Sequence, residues 1–172
     1  MISKLAKFNF AFLAVFAIFI IIFDGGNVLT REAVYHRWVF EALLFVVFTL
    51  FWVAVKKAGQ KTIFAALILC VLAELALAGF MTYWERGMAS TSTVLYMLPI
   101  ASIALTRSRT YTVAASLLAS ATYIFASTKY FYDFFNEGYR VQLYGEIFFY
   151  SALFLLVGWV IATAAHSSKA KK

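Results

Sequence analysis

Hydrophobic residues fall in six long runs along the chain, and short polar segments separate them. A helix needs about 20 apolar residues to cross the hydrocarbon core of a bilayer, and each run has roughly that length. The pattern predicts an all-α polytopic membrane protein, in which residues 1–172 form a single bundle of six transmembrane helices. The predicted helices cover positions 8–23, 38–55, 62–83, 88–106, 111–127 and 147–165.

Composition supports lipid as the main solvent of this chain. Its residues are 64% hydrophobic and only 13% charged, whereas soluble domains carry about 25% charged residues. The net charge of +7 does not indicate nucleic acid, because the basic residues cluster at the ends of the apolar runs. We therefore expect the lipid bilayer as the first partner, and we expect no nucleic acid.

The charged residues alternate in kind from one polar segment to the next. Ten Lys and Arg residues, and no acid, lie in the two terminal segments and at 56–61 and 107–109. The other three polar segments, which alternate with these, hold five basic residues: Arg31, Arg37, Arg86, Lys129 and Arg140. The more basic side of a membrane protein faces the cytoplasm. Both termini are predicted to be cytoplasmic, in a multi-pass protein of a cell membrane, most simply the bacterial inner membrane.

Two helix ends leave alternatives open. Lys4 and Lys7 precede the first run as in a signal peptide, but 24–27 lacks a small-residue cleavage pattern, so an uncleaved helix is expected. A cleaved signal would leave five helices. The second helix could begin as early as Thr30, which suits an N-cap.

The fifth polar segment, 128–146, is rich in Tyr and Phe and also carries charges. Such residues suit the headgroup layer, so an aromatic belt plus a loop is the favoured interpretation. A lid or ligand-facing surface is the alternative. The fifth helix could also continue toward Phe135.

Glu74 is the candidate for chemistry within the apolar runs, because an acid at the middle of a transmembrane helix is costly. Cys70 precedes it by one turn, and Trp84 ends the same stretch. One interpretation is a proton site or a polar anchor inside a ligand cavity. The other is a protonated acid, hydrogen-bonded to a neighbouring helix, that serves packing alone. A lone cysteine excludes a disulfide within the chain and disfavours a metal cluster.

Other singled-out residues have structural explanations. Arg37 and Glu41 are one helical turn apart and predict an interfacial ion pair. Pro99 is expected to bend the fourth helix and is a candidate cavity marker. Small residues spaced by four predict close-packing faces, which contact each other or a second copy of the protein: Ala115 and Ala119, Ser116 and Ser120, and Gly158 and Ala162.

One part of the chain resembles a known family. After Tyr83 come Gly87, a polar patch at 90–93, the stretch LYMLPIASIAL, a basic turn RSRT, and the alanine-rich YTVAASLLASATYIF. Residues 83–127 are thereby similar to the latter half of the six-helix membrane sensor modules of bacterial two-component histidine kinases. The resemblance implies six crossings and signalling through a partner. No kinase activity is carried over, because the chain ends in HSSKAKK where such kinases continue into catalytic domains.

These features favour a non-enzymatic membrane module that senses, anchors or assembles with a membrane or cytoplasmic protein or with itself. The alternative is the small-molecule binding subunit of a membrane transporter, in which Glu74, Trp84 and the aromatic outer segment would form a pocket. An enzyme ranks last, because paired acids and nucleophile–base sets are not evident in the sequence. No catalytic residue, metal site or cofactor is predicted.

Overall fold

The structure is a computed structural model that describes residues 2–26, 30–56, 59–85, 87, 91–135 and 140–170. The described residues are all-α, as the sequence predicts. In the described parts of the chain, six α-helices and a 3₁₀ segment follow one another: α1 (Ile2–Gly25), α2 (Arg31–Lys56), α3 (Gln60–Trp84), the 3₁₀ segment (Thr91–Tyr96), α4 (Met97–Ala104), α5 (Arg109–Phe134) and α6 (Arg140–Ala170).

Four of the described helices are long and apolar enough to cross a membrane, as expected of a membrane protein. The four are Leu5–Gly25, Arg31–Lys56, Lys61–Trp84 and Val141–Ala164. The apolar stretch at Ser92–Ala104 is shorter, and α5 is not among the four.

The chain divides into two compact units, Met1–Ala73 and Glu74–Lys172.

In the first unit, α1 and α2 pack as an antiparallel pair. The rings of Phe16 and Phe40 meet edge to face at 5.3 Å, and those of Phe10 and Phe45 do so at 6.2 Å. The Thr30 hydroxyl accepts a hydrogen bond from a backbone N–H of the first turn, so the predicted N-cap of α2 is confirmed. The buried stripe of α2 recurs every three to four residues: Val34, Arg37, Phe40, Leu44, Phe48, Phe51 and Val55.

In the second unit, consecutive segments run antiparallel from α3 to α6. Tyr96, at the end of the 3₁₀ segment, is fully buried and lies against Tyr123 of α5 and Phe154 of α6. These three rings meet at centroid distances of 5.3–5.7 Å and form an aromatic core. Such geometry adds stabilisation beyond simple burial.

The fourth predicted helix differs from the structure. Its positions 88–90 lie outside the described residues, and the rest is a 3₁₀ segment followed by the eight-residue α4. Pro99 lies in the first turn of α4, where a backbone N–H has no acceptor inside the helix. Pro99 therefore fits without loss of a hydrogen bond, close to the change from 3₁₀ to α geometry.

The aromatic segment at 128–146 is mostly helical in its described part, rather than a loop. α5 continues to Phe134, close to the end that the sequence leaves open, and α6 begins at Arg140. The interval 128–135 contains no Gly or Pro to end a helix, and Lys129 pairs with Asp133 one turn later. The apolar pattern predicts where the hydrophobic run ends, but the helix itself continues into the polar residues that follow.

Candidate functional site

Glu74 is 1% exposed, and its carboxyl group accepts a hydrogen bond from α4. Ser102 of α4 donates a hydrogen bond to Glu74 Oε1 at 3.1 Å, and Ser102 is itself fully buried. A helix-to-helix hydrogen bond of this kind is what the packing interpretation of Glu74 requires. Cys70, one turn earlier on α3, is also buried.

A second polar contact joins the end of α3 to the 3₁₀ segment that precedes α4. The hydroxyl oxygens of Thr82 and Tyr96 are 3.2 Å apart, and Thr82 Oγ1 is 3.0 Å from the carbonyl oxygen of Ala78. A hydroxyl has one proton, so Thr82 donates to Ala78 and accepts from Tyr96. The aromatic core is thus tied to α3 by a fully buried hydroxyl pair.

The predicted small-residue faces meet each other within this chain. Ser116 Oγ lies 1.7 Å from the position that a β-carbon on Gly158 would occupy, so α5 and α6 approach with almost no space between them. Ser120 Oγ also lies 3.3 Å from the carbonyl oxygen of Ser151 on α6. All six small residues singled out from the sequence are buried: Ala115, Ser116, Ala119, Ser120, Gly158 and Ala162.

Four hydroxyl groups along α5 hydrogen-bond to carbonyls of their own helix. A hydroxyl bonded to the carbonyl four residues earlier presents little polarity to its surroundings. The distances are 2.8–3.0 Å for Thr112 to Ser108, Ser116 to Thr112, Ser120 to Ser116, and Thr122 to Leu118.

A groove of about 380 Å³ opens between α3 and α5, within the size range of ligand sites. At its floor the helices come close, since a β-carbon on Gly79 would lie 3.0 Å from Thr122 Cγ2. The atoms exposed in the groove are apolar. It is lined by Ala76, Gly79, Phe80, Tyr83, Thr122, Phe125, Ala126 and Lys129.

A charged cluster closes one end of this groove. Lys129 Nζ lies 2.6 and 2.7 Å from the two carboxylate oxygens of Asp133, and the Tyr83 hydroxyl donates to Asp133 Oδ2 at 2.9 Å. These hydrogen bonds, from Lys129 first and Tyr83 second, hold the pKa of the Asp133 carboxyl below its usual value. The hydrogen bond to Asp133 likewise raises the pKa of Lys129.

The structure leaves Glu74 and Trp84 outside the groove. Trp84 is 39% exposed and stacks on Phe80 at 5.8 Å between centroids, and only Phe80 of these two rings lines the groove. Pro99 is buried in α4 and is not a groove residue either. The groove therefore overlaps the outer aromatic segment of the predicted pocket but not its acid.

Arg37 is buried among the side chains of the first unit. Its side chain is 1% exposed, and its guanidinium lies 5.2 Å from the centre of the Phe19 ring. Glu41 is half-buried, and its Oε2 has no hydrogen-bond partner among the described residues. The Arg37–Glu41 ion pair stays a prediction.

Sequence reasoning missed the residues that connect distant segments. The four-residue spacing of Lys129 and Asp133 is visible in the sequence and suggests their pairing. Their contact with Tyr83 has no local signal, because it joins residues 50 positions apart. The same holds for Tyr96 and Tyr123, which read as ordinary aromatic residues in apolar runs.

Among the described residues, no three His, Cys, Asp or Glu side chains are placed to hold a metal ion. Comparisons of the chain with protein-family models, curated proteins and solved structures gave no match.

Proposed function

We propose that this protein is a non-enzymatic integral membrane module that senses, anchors or assembles with a protein partner. The observation that carries the proposal is the hydrogen bond from Ser102 to Glu74, which engages the buried acid in helix packing. The Thr82–Tyr96 pair likewise joins two segments, whereas Ser116 of α5 bonds to a carbonyl of its own helix. The likeness of residues 83–127 to the sensor modules of histidine kinases supports the same class.

Six crossings, rather than four, are part of this proposal. Arg109, at the start of α5, lies 4.4 Å from the ring centre of Trp159, and Lys129 pairs with Asp133 near its other end. At 1.5 Å per residue, positions 109 and 129 are about 30 Å apart, which matches the hydrocarbon thickness of a bilayer. The hydroxyl side chains make α5 less apolar in sequence than the other spans. Because four of them bond to carbonyls of their own helix, their polarity toward lipid is reduced.

The proposed orientation places both termini in the cytoplasm of a bacterial cell. Cations over tryptophan rings are typical of the membrane interface. Lys56 lies 5.4 Å from the ring centre of Trp52, and Arg109 is stacked on Trp159. Both basic residues lie in segments that the charge pattern assigns to the inner face.

The test is gentle purification of the full chain from its native membrane, followed by analysis of what accompanies it. A signalling protein, such as a kinase or cyclase, that survives stringent washing is the expected result. A matched preparation of Ser102→Ala would weaken that association if α4 packing forms the contact. Recovery of a stoichiometric soluble metabolite with no protein partner would contradict the proposal.

The groove between α3 and α5 favours one alternative, the small-molecule binding subunit of a transporter. Its volume fits a small ligand, and the polar groups of Tyr83 and Lys129 lie in the charged cluster with Asp133 at one end. In that case a transporter ATPase, rather than a kinase, would accompany the chain during purification.

A further inference from the structure

The groove runs lengthwise along two parallel helix segments. Gly79 lies against Thr122 and Tyr83 against Asp133, so residue numbers rise together on α3 and α5. From Ala76 to Tyr83 the groove extends about 10 Å along the helix axis. Its long wall is apolar and its end is charged, which is the shape of a site for an amphiphile.

The charged end has a cation and an anion in direct contact. Lys129 gives two hydrogen bonds to Asp133, so one of its three ammonium protons remains for an outside acceptor. Asp133 already accepts three hydrogen bonds and has room for one more. The side chains are 53% and 22% exposed, so a headgroup can reach both.

We propose that this groove binds one acyl chain of a zwitterionic phospholipid. The acyl chain lies along Ala76, Phe80 and Phe125. The lipid phosphate accepts a hydrogen bond from Lys129, and the headgroup ammonium faces Asp133. The pair Lys129–Asp133 has no net charge, so it complements a headgroup that also carries one charge of each sign. An anionic headgroup would place an uncompensated negative charge beside Asp133. This goes beyond the proposed function, because it holds for any protein partner.

Binding of the acyl chain is tested by a variant whose larger side chain fills the groove. The full chain in detergent is titrated with phosphatidylethanolamine and bound lipid is counted by native mass spectrometry. Ala76→Phe, at an exposed position of the groove, is expected to weaken binding about tenfold. Ala152→Phe, at an exposed alanine of α6 outside the groove, is the matched control and is expected to bind as the natural chain does. Equal retention by both variants would overturn the proposal, because it would mean that the lipid is adventitious.

Headgroup recognition is tested independently of that variant. The natural chain is expected to prefer phosphatidylethanolamine over phosphatidylglycerol. Asp133→Asn leaves Lys129 uncompensated, and the preference is expected to shift toward phosphatidylglycerol by about fivefold, the size of one partly exposed charge interaction. Lys129→Gln should weaken binding of both lipids. An unchanged ratio in Asp133→Asn would overturn the headgroup assignment.

Discussion

Ser116 Oγ occupies the space in which any residue larger than glycine at position 158 would place its β-carbon. Gly158→Ala would bring the new carbon within 1.7 Å of that oxygen and 2.7 Å of Ser116 Cβ, so α5 and α6 must separate. We expect a loss of about 1–3 kcal/mol, typical of an overfilled core. Thermal or denaturant unfolding of the detergent-solubilised chain measures this.

Gly145→Ala is the matched control, since a β-carbon there meets nothing within 4 Å. It is expected to leave stability unchanged or slightly raised, because alanine favours a helix more than glycine does. The double variant Ser116→Gly with Gly158→Ala should regain most of the lost stability. Equal behaviour of Gly158→Ala and Gly145→Ala would show that the two helices do not meet here.

Glu74→Gln should leave the fold intact, because the amide oxygen can still accept the hydrogen bond from Ser102. Ser102→Ala removes the donor and should cost about 0.5–1 kcal/mol, the size of hydrogen bonds between membrane helices. Unfolding of both variants provides the comparison. If Glu74→Gln folds normally yet abolishes partner or ligand binding, Glu74 has an ionisation-dependent role and the packing interpretation is wrong.

The Lys129–Asp133 pair should make stability depend weakly on acid. Hydrogen bonds from Lys129 and Tyr83 lower the pKa of Asp133 in the folded chain, so the pair contributes at pH values above the ordinary value of 3.8. That contribution is lost as the pH falls through the folded-state pKa. The difference in melting temperature between the natural chain and Asp133→Asn should therefore shrink as the pH falls from 7 to below 3.8. The effect is small, because exposed pairs are screened by solvent. A difference that stays constant over this range would contradict the assignment.

Orientation predicts a specific labelling pattern in intact cells. In a Cys70→Ala background, cysteines at Gly59 and Ser108 should resist a membrane-impermeant maleimide until the cells are opened. A cysteine at Thr128, which is exposed, should react at once. Reaction at positions 59 and 108 in intact cells would reverse the orientation.

Periodicity and spacing anticipated much of the packing. The Thr30 cap follows from residue type at a helix start, and the small residues of α5 and α6 follow from four-residue spacing. The choice between partners could not be made from spacing, because Ser116 fits against Gly158 of this chain or of a second copy equally well. The close approach of Ser116 to Gly158 in the structure lies within one chain.

Other features depend on contacts between distant positions. The end of α5 at Phe134 could not be read from the apolar run, because the polar residues after that run are compatible with a helix. Arg37 of α2 lies over the Phe19 ring of α1, a contact that the sequence of α2 alone does not indicate. The groove requires Gly79 to meet Thr122, a pairing with no signature in either helix alone.

Four hydroxyls of α5 carry their acceptors with them, since each reaches a carbonyl one turn back: those of Thr112, Ser116, Ser120 and Thr122. These groups are satisfied once α5 is helical, whether or not α6 is docked. Docking of α6 then needs a tight steric match at Gly158, and it adds one polar contact, because Ser120 Oγ also lies 3.3 Å from the carbonyl oxygen of Ser151. Steric fit, more than new hydrogen bonding, therefore sets the contact between these two helices.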